Sequence, residues 1–356
     1  MPRGLPELRK SSAVRGRDRD DLIDPGTRTL EQLLECRLCD LRIGIPGTAL
    51  EARVARLYRE LEARNILLHP HVWLSEEFFT PDRVPGFAIP FYLAHPRLVR
   101  LEHQQMLEAE GACHPECHRI LRHEAGHALD EAFQLWEWPG ITEVFGSPDV
   151  PYPDEYRPDT NSRAFVLNLN AWYAQAHPVE DLAETFAVWL APEIDWRTQY
   201  AGWPALRKLE FVDQLMREIA GKRPRVMNRR EMEPVAKATT TLRQHYRRKR
   251  AHYAVDDPGN YDDELRRIFA PAEAARGAPS AVVLVRDLRH QLRAIVAEGT
   301  GVHAYVVEQL IRHVIARCRA LRLRAPPPHD ITQQRLTVLL TVQTLSAVQT
   351  GWRVPL

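Results

Sequence analysis

The sequence predicts an α+β chain: a small mixed sheet with an edge strand packed among helices, followed by a mainly helical C-terminal region. Three observations carry this. Apolar residues recur at helical spacing in several long segments; two short aliphatic and aromatic runs bounded by Pro and Gly read as strands; and past Gly221 basic and helical patterns take over. On these boundaries residues 1–27 are a disordered basic tail, 28–220 a first folded domain and 221–356 a helical C-terminal domain.

The elements follow in order. Residues 1–27 are rich in Arg, Asp, Pro and Gly and show no periodicity. Thr48 and Glu51 have capping-box spacing, and Leu50, Val54, Leu57 and Leu61 continue as one helical stripe. Residues 66–74 and 86–94 read as strands, and Pro90 puts the second at a sheet edge. Over 117–136 the apolar positions Ile120, Leu121, Ala128, Leu129, Ala132, Phe133 and Trp136 mark a half-buried helix. The Pro-rich stretch GSPDVPYPDEYRPDTNSR is irregular, and 164–169 reads as a further strand. Another helix opens after His177, with Pro178 at its first position, and runs to about residue 190. Residues 222–250 hold eleven Lys or Arg against Glu231 and Glu233 only. Amphipathic helices follow over 281–296 and 302–323, and a last helix starts with Asp330 as N-cap and Gln333 as its partner and stops at Gly351.

With 44% hydrophobic and 27% charged residues, the 356-residue chain has ordinary globular composition. A net charge of +1 predicts no bulk attraction to nucleic acid or anionic lipid. No apolar run approaches the ~18 residues of a membrane span, and the first twenty residues lack the apolar core of a secretory signal. The expectation is a cytoplasmic protein without a membrane partner. Five cysteines do not make a disulfide scaffold in a chain of this length. Cys36 and Cys39 form a CxxC, and Cys113 and Cys117 lie beside His114 and His118, so a structural zinc site is conceivable; the distance between the pairs favours unrelated thiols.

The sequence RHEAGHALDEAF places His123 and His127 four apart, on one helix face, with Glu124 beside them. Two imidazoles so spaced can converge on one cation. A catalytic zinc takes three protein ligands and keeps a place for water, so a third is needed. Gly126 in mid-helix costs up to ~1 kcal/mol relative to Ala unless close packing or a metal site requires it. HPVEDLAETF offers Glu180 and Glu184 four apart on one face: one to coordinate, the other to accept the spare ring N–H of a ligand histidine. Glu180 could instead cap its helix, and His177 or Asp181 could serve as third ligand.

HExxH followed some tens of residues later by ExxxE resembles the gluzincin metallopeptidases, and EDLAETF is similar to the third-ligand helix of the lethal-factor type of zinc endopeptidase. RHEAGHALDEAF, SRAFVLNLNAWYAQAHPVEDLAETFAVWL and WPALRKLEFVDQLM look like a bacterial family of zinc-binding metallopeptidases, over about residues 30 to 320; the N-terminal zinc ribbon of some members is not evident. The resemblance implies a zincin-like catalytic domain over 28–220. It implies one catalytic Zn2+ on His123, His127 and Glu180, with Glu184 supporting a ligand histidine. Tyr173, seven residues before Glu180, matches a tyrosine that lies near the scissile carbonyl.

The expected function is zinc-dependent hydrolysis of peptide bonds. Zinc lowers the pKa of a bound water toward ~7. Glu124 takes its proton and passes it to the leaving amine, worth ~10² to 10⁴ in rate, and Tyr173 donates to the oxyanion. A peptide substrate adds to the edge strand at 86–94. The other class is a catalytically inactive zincin-fold binding protein, associated with nucleic acid through residues 222–250. There RQHYRRKR offers cations to phosphates, and His245 and Tyr246 to bases.

Overall fold

The computed structural model describes residues 22–153, 156–254 and 261–351. Residues 1–21, most of the expected tail, lie outside the described residues. The remainder of that expected tail is built into the fold: Ile23 N–H donates to Asp40 O at 2.8 Å and Arg42 N–H to Ile23 O at 2.8 Å. The Asp24 carboxylate accepts from Gly26 N–H to cap a 3-10 turn at Pro25–Thr27.

Among the described residues the chain is mixed α and β but mostly helical, with two sheets of two strands each. The order is α1 (Leu30–Leu34), α2 (Ala49–Ala63), β1 (His71–Ser75), β2 (Gly86–Pro90), α3 (Pro96–Met106), α4 (His114–Phe133), α5 (Ile141–Phe145), α6 (Pro178–Leu190), α7 (Trp196–Gln199), α8 (Ala205–Ile219), α9 (Leu242–His252), α10 (Asp262–Ile268), β3 (Ala270–Pro271), α11 (Ala281–Thr300), α12 (Ala304–Ala320), β4 (Leu323–Arg324) and α13 (His329–Gly351). The described residues of 1–103, 109–152 and 158–245 form one compact unit, and those of 104–108, 153–157 and 246–356 a second. The compositional boundary near 220 is therefore displaced. Charge changes there, but the backbone stays with the first unit: Leu38 N–H donates to Thr240 O, Cys39 N–H to Ala238 O, and Trp73 Nε1–H to Met232 O.

In the first unit, α2 buries Leu50, Val54, Leu57 and Leu61, the predicted stripe. Its capping box does not form. The Thr48 hydroxyl donates to Ile45 O at 2.6 Å, and Glu51 accepts from Gly47 N–H at 2.7 Å. Such a box does open α1, between Thr29 and Gln32. α4 starts at His114, three residues before the predicted start, and ends at Gln134 in the left-handed region at φ 55°. α6 is buried from Glu180 through Leu190, so it runs through the core and not along a surface.

β1 and β2 pair in parallel, His71 opposite Gly86 through Ser75 opposite Pro90. Each is shorter than predicted. Pro70 cannot donate to a ladder ahead of β1, and after Pro90 the chain tightens into a 3-10 turn at Phe91–Ala94. The third predicted strand, 164–169, is absent because side chains take its donors: Leu167 N–H goes to the Tyr200 hydroxyl and Leu169 N–H to Glu184. Addition of a substrate strand to 86–94 also meets an obstacle. On the side of β2 away from β1, Ala88 N–H is given to Phe79 O and Gly86 N–H to Val84 O, and Pro90 has no N–H, so no donor is left there.

The second unit packs α11, α12 and α13 around Val285, Leu292, Val307, Ile311, Leu336 and Leu340. α13 begins at His329, ahead of the expected Asp330 cap, and Thr332 N–H bonds back to Pro328 O. The buried Glu308 carboxylate is matched by Arg289, Arg293 and Arg312. No described helix is long and apolar enough to cross a membrane.

Candidate metal centre

The site is made where α4 crosses α6. Gly126 sets how closely they approach, for a Cβ at that position would sit 2.9 Å from Ala183 Cα and 3.2 Å from Phe186 Cδ1. The mid-helix glycine is a packing requirement. The contact aligns one turn of α4, carrying His123 and His127, with one turn of α6, carrying Glu180 and Glu184.

Three ligand atoms converge. His123 Nε2 lies 3.1 Å from Glu180 Oε2, His127 Nε2 lies 3.2 Å from the same oxygen, and the two Nε2 atoms are 3.0 Å apart. Zn–ligand bonds of ~2.05 Å at a tetrahedral angle separate donor atoms by ~3.3 Å, so the triangle has the size of one face of a first-row metal site. Among the described residues this buried group is the one cluster of His, Cys, Asp or Glu that could hold a metal ion. The electrostatics agree with the geometry. Burial disfavours a charged His123, but the Glu180 and Glu184 carboxylates outweigh it and hold its pKa well above that of a free imidazole. Burial likewise opposes ionisation of Glu180, and His127 and His123 overcome it, so that its carboxyl stays well below the ordinary range. The pocket favours positive charge.

Glu184, fully buried, is held by Asn168 Nδ2 at 2.7 Å and Leu169 N–H at 2.8 Å, and its Oε1 lies 2.9 Å from His123 Nδ1. With Nδ1 turned to this carboxylate, Nε2 is the ring nitrogen that faces the cluster. Glu124 is buried beside the ligands, and its Oε2 accepts from the Thr80 hydroxyl at 2.9 Å. Burial raises its pKa. Tyr173 is half-buried, its ring centroid 5.6 Å from that of His123. It follows two non-glycine residues in the left-handed region, Ala171 at φ 59° and Trp172 at φ 54°.

The two other candidate third ligands are engaged elsewhere. Asp181 turns away to Lys208 Nζ at 2.6 Å. His177 caps α6: its Nδ1 accepts from Val179 N–H, so the proton is on Nε2, which donates to Val150 O at 2.6 Å. Both ring nitrogens are used.

Sequence reasoning missed Tyr152, whose hydroxyl donates to Glu180 Oε1 at 2.9 Å, and Thr80. Neither carries a spacing signal, since each reaches the site from an irregular segment. The cysteines do not assemble. Cys36, Cys39, Cys113 and Cys117 are all free thiols, and none joins a ligand cluster. Nor do His245 and Tyr246 offer stacking faces, because both rings are buried; His245 packs edge-on against Phe91 and pairs with Glu76. A surface cavity of about 530 Å³ near Arg28, Cys36 and Arg37 contains none of the centre's residues.

Compared with known protein families, with curated proteins and with solved structures, the chain matches none.

Proposed function

We propose that the protein is a zinc-dependent metallopeptidase with a zincin-like catalytic core, of the gluzincin kind. One observation carries the reading. His123 turns Nδ1 to Glu184 at 2.9 Å, so its Nε2 faces the Glu180 carboxylate at 3.1 Å while His127 Nε2 closes in at 3.0 Å. Three ligand atoms in one such triangle suit a cation among them. Two imidazoles and one carboxylate suit zinc, and they leave it short of four ligands.

Zinc, when bound, supplies a Lewis acid that polarises a peptide carbonyl and makes water a nucleophile near neutral pH. The chain's own residues do the rest. Glu124 has Oε2 tied to Thr80, so Oε1 is the oxygen that accepts a proton from water and returns it to the departing amine, an effect of ~10² to 10⁴ in rate. Tyr173, placed by the strained turn before it, donates a hydrogen bond to the oxygen on which charge develops. Glu184, Asn168 and Leu169 N–H keep His123 in the ligand tautomer.

The test is metal analysis of the purified protein together with digestion of a peptide library by wild type and Glu124→Gln. The expected result is one zinc per chain in both, with cleavage by wild type and a rate at least ~10²-fold lower in the variant. Equal cleavage by both proteins refutes the mechanism. Zinc binding with no cleavage by wild type makes the chain a metal-binding scaffold without this activity.

A further inference from the structure

Resting on the metal-centre reading above, we propose that Tyr152 is a positioning residue for the ion, its phenol fixing Glu180 as a ligand through one oxygen. The two oxygens of Glu180 have separate partners. Oε1 accepts from the Tyr152 hydroxyl at 2.9 Å, whereas Oε2 lies 3.1 Å from His123 Nε2 and 3.2 Å from His127 Nε2. A carboxylate released at Oε1 can rotate and offer both oxygens to a cation, and the second would occupy the position that water and substrate need.

Tyr152 is itself held by α6. Its ring stacks on His177 with centroids 3.8 Å apart and planes at 13°. His177 cannot turn freely, since Nδ1 accepts from Val179 N–H and Nε2 donates to Val150 O, two residues before Tyr152. One imidazole thus fastens the Tyr152 segment to the first turn of α6, and Glu180 stands in that turn. The arrangement orders the carboxylate before an ion arrives, which lowers the entropy lost on binding. Tyr173 lies at the His123 ring, with ring centroids 5.6 Å apart, and makes no such stack on His177.

Tyr152→Phe keeps the stacked ring and removes a single oxygen. Zinc affinity is measured by competition with a chromogenic chelator at neutral pH, alongside the unfolding midpoint of the metal-free proteins. The expected result is a Kd about 10- to 100-fold weaker than wild type, with one zinc per chain retained and the metal-free midpoint unchanged. Equal affinity of Tyr152→Phe and wild type overturns the positioning role while the metal centre stands. A metal-free midpoint that falls with the affinity assigns the phenol to fold stability and also overturns it. If wild type takes up no zinc, the metal-centre reading and this inference fall together.

Discussion

Gly126→Ala puts the close approach of α4 and α6 to the test. The added methyl would lie 2.9 Å from Ala183 Cα, 3.2 Å from Ala183 O and 3.2 Å from Phe186 Cδ1. Carbon–carbon contacts settle at ~3.5 to 4.0 Å, so the helices must part by roughly 0.6 Å or more. Two effects oppose each other. Alanine is the better helix former by up to ~1 kcal/mol, and overpacking costs ~1 to 3 kcal/mol. Because the nearest obstacle is backbone, it cannot rotate aside, and the upper part of that range applies. The expected net loss is about 1 to 2 kcal/mol. The same displacement moves His127, the next residue, away from Glu180, and zinc affinity falls by at least ~10-fold. Urea unfolding of the metal-free protein and chelator competition measure the two effects separately. A variant as stable as wild type, with the same zinc Kd, would show that the crossing is not limited by this glycine.

Two further perturbations address what holds α4. Arg122, 1% exposed, makes bidentate contacts with Glu60 at 2.8 Å and with Glu193 at 2.7 and 3.1 Å. Glu60→Ala leaves the guanidinium with one half-exposed partner and is expected to cost about 3 kcal/mol; a loss under ~1 kcal/mol in urea titration contradicts a structural role for the pair. His118 gives a pH dependence. Burial, then the Arg56 and His114 charges, bring its pKa down to about 4 from 6.5, with Glu60 pulling the other way and Arg122 adding to the decrease. The unfolded chain therefore takes up this proton first, and the stabilisation present above pH 6.5 is lost as pH falls toward 4. The urea midpoint of wild type should drop further between pH 7 and pH 4.5 than that of His118→Gln, and equal drops exclude this histidine as a source.

What the sequence made legible is what periodicity can encode. α4 and α6 follow from apolar spacing and from Pro178, and pairs four apart lie on one helix face wherever the helix goes. Which face meets which is a property of the crossing. Gly126 hinted at it, but Ala183, the residue it must clear, is 57 positions away along the chain. Tyr152 was out of reach for the same reason: its contact with Glu180 spans 28 residues and depends on a stack with His177. The strand expected at 164–169 has suitable residues, yet Tyr200 and Glu184 take its N–H groups before a neighbour can. The basic run misled in another way. Residues 222–250 differ in charge, a surface property, while Trp73 and Cys39 bind their backbone into the first unit, and the two rings proposed to stack on bases are buried.

The carboxylates of α6 give the strongest argument that its first turns serve chemistry. Glu180, Asp181 and Glu184 are all at most 5% exposed, and each buried carboxylate loses several kcal/mol of hydration that must be recovered from partners. Glu184 recovers it from an amide, a backbone N–H and the His123 ring, whereas Asp181, although paired with the Lys208 ammonium, is pushed up by burial to about 7. Glu180 is different. Its partners are a phenol and two imidazoles, and the two rings hold its carboxyl ionised against burial. A helix needed only for packing has no reason to bury such a group, and isosteric Gln at position 180 would then be tolerated. If the carboxylate is there for a cation, Glu180→Gln instead abolishes tight zinc binding and leaves the metal-free fold near wild-type stability, since the buried charge is removed together with its ligand role.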